Sequence, residues 1–487
     1  MAGFNKVKVR GPQAHSYEGG AVYEKSPVDE WMNMLFSSFM EDKFYESAAD
    51  QRDRFIELTD KMADTYGYEF VAKAAVFARN ILGMRSISQL VAAWLNSKHF
   101  ENKRAFYRTF MHRPDDVAEI FAAIDYLGDK RSHALVRGAA DYISTLKDST
   151  LAKYKLGSRE YNMYDLINLT HAHSKVIDQY KADVLASADT WEVNIAGASD
   201  KNERDQEWKR LVEEHKLGYM ALIRNLNNIL AVSNISNQWI KDILVPQIID
   251  KSNIIHSLMF PYRFYTAYLN LKIQNPYVME ALGEAFTIAA MHNAPQLESA
   301  SAIILDVSGS MESRISSNSN ITIKQVGACF AIALWLANPT CPIIKFGNRA
   351  KLVTNLSPIE NPFILIGRLC ANDNCGYGTE IVPAFELLHR EIYDDTYKRI
   401  FIISDMQVME DNSYYWYDNR LAVKNYHKYF GMKSCYSFDL GNYHTQILSP
   451  QDHIRYVTSL NDQVFKFIGL LESGINLVDY INSFNYC

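Results

Sequence analysis

Residues 302–310 read Ala302-Ile303-Ile304-Leu305-Asp306-Val307-Ser308-Gly309-Ser310, an apolar run that leads into three oxygen-bearing side chains. The apolar run is typical of a buried strand. Such a strand would deliver Asp306, Ser308 and Ser310 to one point at its C-terminal end. One carboxylate and two hydroxyls suit a hard divalent cation such as Mg²⁺, which takes near-octahedral oxygen ligation. The alternative for a D-x-S-x-S pattern taken alone is an ordinary polar turn.

Two later segments favour the metal site over the polar turn. Gly376-Tyr377-Gly378-Thr379 supplies another hydroxyl before an apolar, helix-like stretch, and 400–405 reads as a second buried strand that ends in Asp405. In an open α/β sheet, ligands gather in the crevice outside the carboxyl ends of the strands. The three segments therefore predict one cation site at that edge of the sheet.

From Ser301 onward, strand-like and helix-like segments alternate, which predicts a doubly wound α/β domain with parallel strands. We predict a last helix near 474–481, packed on the sheet. The predicted strands are 302–306, 342–346, 350–354, 399–405 and 433–439. The predicted helices lie near 321–337, 361–370, 380–393 and 417–430.

The first 300 residues have a different pattern. From Ser26 to about Met291, apolar residues recur at three- and four-residue steps, which predicts successive amphipathic helices stacked as a solenoid-like repeat. Ser26-Pro27-Val28-Asp29 has the cap, the early proline and the acidic first turn of a helix start. Residues 1–18 are polar and predict a mobile arm, and the stretch around Asn293–Gln296 marks the boundary to the second domain.

The composition indicates an ordinary globular protein and argues against nucleic-acid binding over most of its surface. The 487 residues are 48% hydrophobic and 22% charged, with a net charge of −6. Between Lys98 and Arg159, however, the sequence contains 12 Lys and Arg but only 8 Asp and Glu, which predicts a local basic patch. The six cysteines have no zinc-site spacing. With no apolar N-terminal segment typical of a signal peptide, the expected location is cytoplasmic.

The D-x-S-x-S segment has the spelling of the metal-ion-dependent adhesion site of a von Willebrand factor A-type domain. That resemblance implies Ser308, Ser310 and Thr379 as direct ligands of the cation, which is expected to be Mg²⁺. It also implies that Asp306 and Asp405 bind the cation directly or through water.

A helical N-terminal half joined to an A-type domain resembles the TROVE family of Ro-type proteins. The similar segments are Glu18–Tyr23, Lys153–Lys155 with Asp165–His171, Ala221–Leu226 and His256–Phe264. The resemblance implies a ring of HEAT-like helical repeats over residues 19–295 and an A-type domain over 300–487. It implies binding of a small non-coding, Y-type RNA on the outer surface and of single-stranded ends of misfolded RNA in a central hole.

The resemblance and the local charge together identify seven candidate RNA-contacting residues. Lys153, Lys155, Arg159 and His171 follow from the resemblance, and Lys130, Arg131 and Arg137 would extend the same rim. Lys and Arg neutralise phosphates, and histidine hydrogen-bonds phosphate or stacks on a base. The alternative for each cation is an ordinary solvated helix face. The expected partners are RNA and an exoribonuclease or another RNA-processing protein, with no membrane and a monomeric chain.

Two other classes of function compete with RNA binding. An A-type domain could serve an intracellular scaffold whose metal binds a carboxylate of a partner protein. Catalysis is not expected, because Ser308 stands where a D-x-D phosphatase needs its second acid. Asp306 likewise stands where a G-x-S-x-G hydrolase needs its first glycine.

Overall fold

A computed structural model gives the fold of the chain. It describes residues 14–38, 46–154, 160–185, 191–257, 259, 261–297, 300–315, 319–391, 396–408, 422–448, 453–457, 465, 468 and 476–486. The chain divides into two compact units. The sheet unit draws on Met1–Gln51, Leu258–Leu269 and Leu282–Ser473, and the helical unit on Arg52–Ser257, Asn270–Ala281 and Gly474–Cys487.

Helices dominate the first 300 residues, as the apolar periodicity predicts. They are α1 (Pro27–Ser37), α2 (Ala48–Tyr66), α3 (Tyr68–Asn80), α4 (Ser86–Trp94), α5 (Lys103–Phe110), α6 (Pro114–Tyr126), α7 (His133–Ile143), α8 (Asp148–Lys153), α9 (Met163–Thr170), α10 (Lys175–Lys181), α11 (Trp191–Gly197), α12 (Lys201–Glu213), α13 (Tyr219–Arg224), α14 (Leu226–Leu230), α15 (Asn237–Trp239), α16 (Val245–Ile248), α17 (Lys251–Ser257), α18 (Pro261–Leu269) and α19 (Pro276–Asn293). A π-helical turn, Ile240–Leu244, joins α15 to α16. The predicted start of α1 is confirmed, because the Ser26 hydroxyl accepts from the Asp29 amide at 3.2 Å.

Apolar helix faces and a buried ion pair stabilise the helical unit. Arg79 on α3 donates to both carboxylate oxygens of Asp116 on α6, at 3.0 and 2.7 Å. Gln89 donates to the same carboxylate at 2.7 Å, and both Arg79 and Asp116 are buried. Because the pair is bidentate and further hydrogen-bonded, it meets the condition under which burial of two charges is tolerated.

The sheet unit contains the strands β3 (Ser301–Asp306), β4 (Ile343–Phe346), β5 (Ala350–Leu352), β6 (Arg399–Ser404), β7 (Ser434–Asp439) and β9 (Ile454–Val457), in the order β5-β4-β3-β6-β7-β9. Helices α20 (Ile323–Ala337), α21 (Pro362–Cys370), α22 (Val382–Glu391) and α23 (Ala422–Phe430) alternate with these strands. This is the predicted doubly wound layout. Two details differ. Strand β9, which pairs parallel with β7, was not predicted. Strand β5 pairs with β4 antiparallel, because only three residues turn the chain back from Phe346 to Ala350.

The N-terminal segment joins the sheet unit. Strands β1 (Ala14–His15) and β2 (Ala21–Glu24) form a hairpin, and β2 pairs antiparallel with β8 (Thr445–Gln446). The sequence predicts that residues 14–18 belong to a mobile arm, and that prediction is wrong, because these residues include β1 and the buried Ser16. The expected boundary near 295–300 separates the helical from the strand pattern, but the sheet unit also takes in this hairpin, α1 and α18.

The last helix, α24 (Leu477–Ser483), does not pack on the sheet, and that prediction is wrong. It lies on α3, where Phe77 meets the rings of Tyr480 and Phe484 at 5.8 and 5.9 Å. The apolar pattern fixes a helix but not the partner on which its apolar face packs. Within the described ranges, no helix is long and apolar enough to cross a membrane.

Candidate functional site

Asp306 and Asp405 lie at the topological switch point of the sheet, between β3 and β6. Strands β3 and β6 are parallel neighbours, with Leu305 opposite Ile403, so Asp306 and Asp405 leave the sheet at the same edge. The chain continues from β3 to β4 on one side and from β6 to β7 on the other. Ligand sites of open α/β sheets form in the crevice at such a switch point.

Short hydrogen bonds orient the carboxylate of Asp306. One oxygen accepts from the Ser308 amide at 2.8 Å, and the other accepts from the Ser404 hydroxyl at 2.5 Å. The hydroxyls of Ser308 and Ser310 lie 3.3 Å apart. All four side chains are buried, which places a small group of oxygen atoms out of contact with bulk water.

The third predicted segment reaches the same place. The Gly309 amide donates to the Tyr377 carbonyl at 2.8 Å, which holds the 376–379 loop against the loop after β3. Gly376 makes the turn possible with φ +85°, a conformation that side chains disfavour. Thr379 is fully buried, yet its hydroxyl has no hydrogen-bond partner among the described residues. A buried hydroxyl without a partner is costly, so its place at this edge fits a missing ligand.

The electrostatics of the site also fit a cation. Burial raises the pKa of Asp306 to about 6. Burial and the nearby charge of Asp306 raise the pKa of Asp405 well above its usual range. A divalent cation between the two carboxylates would offset both effects. Among the described residues, no three His, Cys, Asp or Glu side chains cluster closely enough to share a metal, so hydroxyl oxygens would have to complete the ligand set.

The structure adds two residues to this site that the sequence pattern did not reveal. Ser404 anchors Asp306, and the Gln407 amide donates to Asp405 at 3.2 Å. Between them, Met406 has φ +64°, which is strained for a side chain of this kind. Backbone strain beside Asp405 is the sort of feature that gathers at functional sites. No spacing rule links these residues to Asp306, since they lie about 100 residues away in the chain.

The candidate RNA-contacting residues of the helical unit fall into distinct groups. Lys130 and Arg137 are exposed and have no ion-pair partner within the part of the chain that the structure describes. His133 and Arg137 lie four residues apart on α7 and share its exposed face. These side chains are available for phosphate contacts.

Arg131 and Lys153 form ion pairs with neighbouring acids. Arg131 donates to both oxygens of Asp125, at 2.8 and 2.7 Å, and its guanidinium lies 4.8 and 5.0 Å from the ring centroids of Phe121 and Tyr161. Such packing indicates a mainly structural role. Lys153 pairs with Glu192, but both side chains are partly exposed. An exposed pair of this kind is worth little and can be exchanged for a phosphate. Lys155 and Arg159 lie outside the described residues.

His171 ends α9 in the left-handed conformation, with φ +56°, and is exposed. Nearby helices carry an aromatic feature that the sequence did not single out. Tyr164 on α9 is 42% exposed and packs against Tyr180 on α10, with ring centroids 4.8 Å apart. An exposed tyrosine pair is a surface on which a nucleic-acid base can stack.

Comparisons with known proteins bear on this arrangement. The sequence model of the TROVE domain matches residues 182–280. The crystal structure of the Ro (RSR) protein of Deinococcus radiodurans superposes with a TM-score of 0.59 over 92% of this chain and all of that chain, at 15% identity. The likeness to the TROVE model is thus limited to residues 182–280, and the chain as a whole shares the fold of that Ro structure. The fold class expected from the sequence, a helical repeat part followed by a von Willebrand factor A-type domain, is thereby confirmed.

One curated relative is similar in sequence to only a short part of this chain. The telomerase protein component 1 of Rattus norvegicus is 30% identical over 87 residues, which are 18% of this chain and 3% of the relative. The matched region is thus a small fraction of that protein. None of these likenesses tests the individual RNA-contacting or metal-binding residues, which stay predictions.

Proposed function

We propose that the chain is an RNA-binding protein of the Ro type, which binds small non-coding RNA and the single-stranded ends of misfolded RNA. The observation that carries this proposal is the likeness to a Ro structure over 92% of the chain, combined with the TROVE match inside the helical region. An RNA-processing protein such as an exoribonuclease is the proposed partner, and the cytoplasm is the proposed location.

The helical unit would supply the RNA contacts. Lys130 and Arg137 offer positive charge without a competing acid among the described residues, and Lys153 can exchange its partly exposed acid for a phosphate. His171 and Tyr164 add groups that contact bases rather than phosphates. Arg131 would act indirectly, by holding Tyr161 and the loop before α7.

The sheet unit would bind a divalent cation, proposed to be Mg²⁺, through Ser308, Ser310 and Thr379, with Asp306 and Asp405 bound directly or through water. When bound, the cation would compensate the charge of two buried carboxylates and link the three loops at this edge. Ser404 donates a hydrogen bond to Asp306 and the Gln407 backbone amide donates one to Asp405, which supports the proposal by fixing the two carboxylates. The proposed role of the cation is to stabilise this unit.

A charge-removal experiment tests the RNA proposal. The variant Lys130→Gln/Arg137→Gln/Lys153→Gln is compared with wild type by filter binding to a single-stranded RNA with a structured 5′ part. We expect at least about a tenfold loss of affinity at low salt, because phosphate neutralisation supplies most non-specific affinity.

The matched control removes the same charge from exposed lysines of the sheet unit, in Lys351→Gln/Lys398→Gln/Lys428→Gln. Equal affinities of the two variants would contradict the placement of RNA on the helical unit. Failure of the wild-type protein to bind RNA at any salt concentration would contradict the proposed function itself.

A further inference from the structure

Two arginines of the helical unit share one buried carboxylate. Arg85 stands directly before α4, and Arg113 stands directly before α6. Arg85 donates to one oxygen of Asp115 at 2.5 Å, and Arg113 donates to the other oxygen at 3.2 Å. Asp115 is buried, whereas the side chains of Arg85 and Arg113 are 40% and 45% exposed. One negative charge therefore holds two positive charges together at the surface.

The shared acid leaves most donors of these two arginines unused. The buried Arg79 differs, because it donates from two nitrogen atoms to the neighbouring Asp116. Arg85 and Arg113 each donate from a single nitrogen atom, and among the described residues neither guanidinium makes another hydrogen bond. The Arg85 Nε is even buried without an acceptor. Since a guanidinium has five N–H donors in a planar fork, exposed donors of both arginines remain available to an anion.

A tyrosine links the arginine pair to Lys153. The guanidinium of Arg113 lies 5.5 Å from the ring centroid of Tyr154, and the ammonium of Lys153 lies 5.7 Å from the same centroid. The two cations are thus within about 11 Å of each other. The start of α4, the start of α6 and the end of α8 therefore bring Arg85, Arg113 and Lys153 within reach of one short stretch of an extended polyanion.

The charges of this group do not cancel. The acids that pair with the three cations are Asp115 and Glu192, of which Glu192 pairs with Lys153. The nearby Arg79–Asp116 pair is neutral as a whole. Three cations and two acids leave one positive charge in excess. Phosphate is the anion that suits it, because arginine forks match the oxygen atoms of a phosphate group.

We infer that Arg85 and Arg113 together bind one backbone phosphate of single-stranded RNA, and that Lys153 binds a neighbouring phosphate of the same strand. The unused donors of the two arginines make this contact. Asp115 keeps the two guanidinium groups in place, but its charge also weakens their attraction for the phosphate. This inference rests on the proposed RNA-binding function and adds Arg85 and Arg113 to its candidate contacts.

Filter binding of the full-length protein to a single-stranded RNA, at several salt concentrations, tests the inference. Arg85→Gln/Arg113→Gln should lower the affinity at low salt by about tenfold or more. The slope of log affinity against log salt should become shallower by about 0.7, the contribution of one phosphate. Arg204→Gln/Arg210→Gln is the matched control, because it removes two arginine charges from α12 of the same unit. Its affinity and slope should equal those of wild type.

The outcomes separate this inference from the proposed function. If wild type binds RNA and Arg85→Gln/Arg113→Gln binds it equally well, the inference is overturned while the proposed function stands. Equal losses in the Arg85/Arg113 variant and in the α12 control would also overturn it, because net charge alone would then account for the effect. If wild type binds no RNA, the proposed function fails and the inference fails with it.

Two further variants separate phosphate binding from a purely structural role. Asp115→Asn removes the charge that the arginines share, so RNA affinity should rise roughly two- to fivefold, as expected for partly exposed ion pairs. Asp178→Asn, which removes the same charge from an exposed position on α10, should leave the affinity unchanged. Arg85→Lys/Arg113→Lys keeps both charges but loses the planar forks, so it should bind more weakly than wild type with the wild-type salt slope. Lower thermal stability of Asp115→Asn without a gain in affinity would overturn the inference.

Discussion

At the scale of single residues, Thr379 is the position where a bound cation should change the energetics most clearly. Without a cation, its buried hydroxyl lacks a partner, which costs about 1–3 kcal/mol. We predict that Thr379→Val is as stable as wild type or more stable in a chelator. In Mg²⁺ the variant should gain less stability than wild type. Thermal unfolding in both conditions measures the difference.

The control for this prediction is Thr170→Val in the helical unit. The Thr170 hydroxyl is also buried, but it donates to the Leu166 carbonyl at 2.6 Å. Its loss should destabilise the protein equally with and without Mg²⁺. A Thr379→Val protein whose response to Mg²⁺ matches wild type would argue against Thr379 as a ligand.

Asp116 gives a prediction about pH. Burial by itself would raise its pKa, but the hydrogen bonds and charge of Arg79 outweigh burial and hold the pKa below its usual range. A carboxyl with a depressed folded-state pKa stabilises the fold above its unfolded pKa of about 4, and this stabilisation is lost as pH falls through the folded pKa. Asp116→Asn should cost about 3–5 kcal/mol at neutral pH, because it leaves Arg79 buried without a counter-charge.

Chemical denaturation between pH 7 and pH 3 tests this prediction. The difference between wild type and Asp116→Asn should shrink toward low pH, where the wild-type carboxyl also becomes neutral. Asp141→Asn is the control, since Asp141 forms a bidentate pair with Arg104 that is exposed to solvent. A loss for Asp141→Asn as large as that for Asp116→Asn would show that burial is not the source of the effect.

At the scale of elements, α24 should stabilise the helical unit and not the sheet. Its rings pack on Phe77, and Lys73 donates to the Asn482 carbonyl at 2.8 Å. Truncation after Asn476 should raise hydrogen exchange in α3 by at least about tenfold, because α3 loses buried aromatic contacts, while β6 stays protected. Truncation after Tyr486 keeps the helix and the hydrogen bond from the Tyr486 hydroxyl to Glu69 on α3, and it serves as the control. Faster exchange in β6 instead of α3 would contradict the packing.

Five strands of the six-stranded sheet could be predicted from their own residues, but β9 was not predicted. The runs ending at Asp306 and Asp405 are buried on both faces, and a doubly buried strand reads as continuous hydrophobic residues. The antiparallel direction of β5 and the pairing of β2 with β8 could not be predicted. They depend on partners distant in the chain, and pairing of short strands has little local signal.

At the scale of the whole molecule, salt dependence separates phosphate contacts from base contacts. For single strands, each phosphate contact contributes about −0.7 to the slope of log affinity against log salt. Removal of three contacts in Lys130→Gln/Arg137→Gln/Lys153→Gln should make the slope shallower by about 2. His171→Asn should lower affinity without changing the slope, and asparagine tolerates the left-handed backbone at this position.

Filter binding at four salt concentrations tests this prediction, with Lys351→Gln/Lys398→Gln/Lys428→Gln as the control of equal charge. The control should keep the wild-type slope. An unchanged slope in the Lys130, Arg137 and Lys153 variant would mean that these cations do not neutralise phosphates.

The candidate cation site contains residues that a local sequence pattern identifies and residues that only the structure reveals. Asp306, Ser308 and Ser310 could be identified because they lie within five residues of one strand end. Thr379 and Asp405 followed from two similar strand or loop signals. Ser404 and Gln407 could not be found, because only the adjacency of β3 and β6 brings them close to Asp306. For the candidate RNA surface, local charge identified Arg131 and the family resemblance identified Lys153. Neither could show that Asp125 and Glu192 pair with them.

The sequence by itself determined the helical first part and the alternation of strands and helices after it, the acidic and hydroxyl side chains at one strand end, and the likeness to TROVE proteins. Those features depend on periodicity and short spacings, which a single segment contains. Only the tertiary structure decided where α24 packs, which cations already have acidic neighbours, and that the N-terminal hairpin lies beside Asp405. The packing of α24 and the position of the hairpin depend on contacts between residues hundreds of positions apart, where the packing of buried surface selects one partner among many.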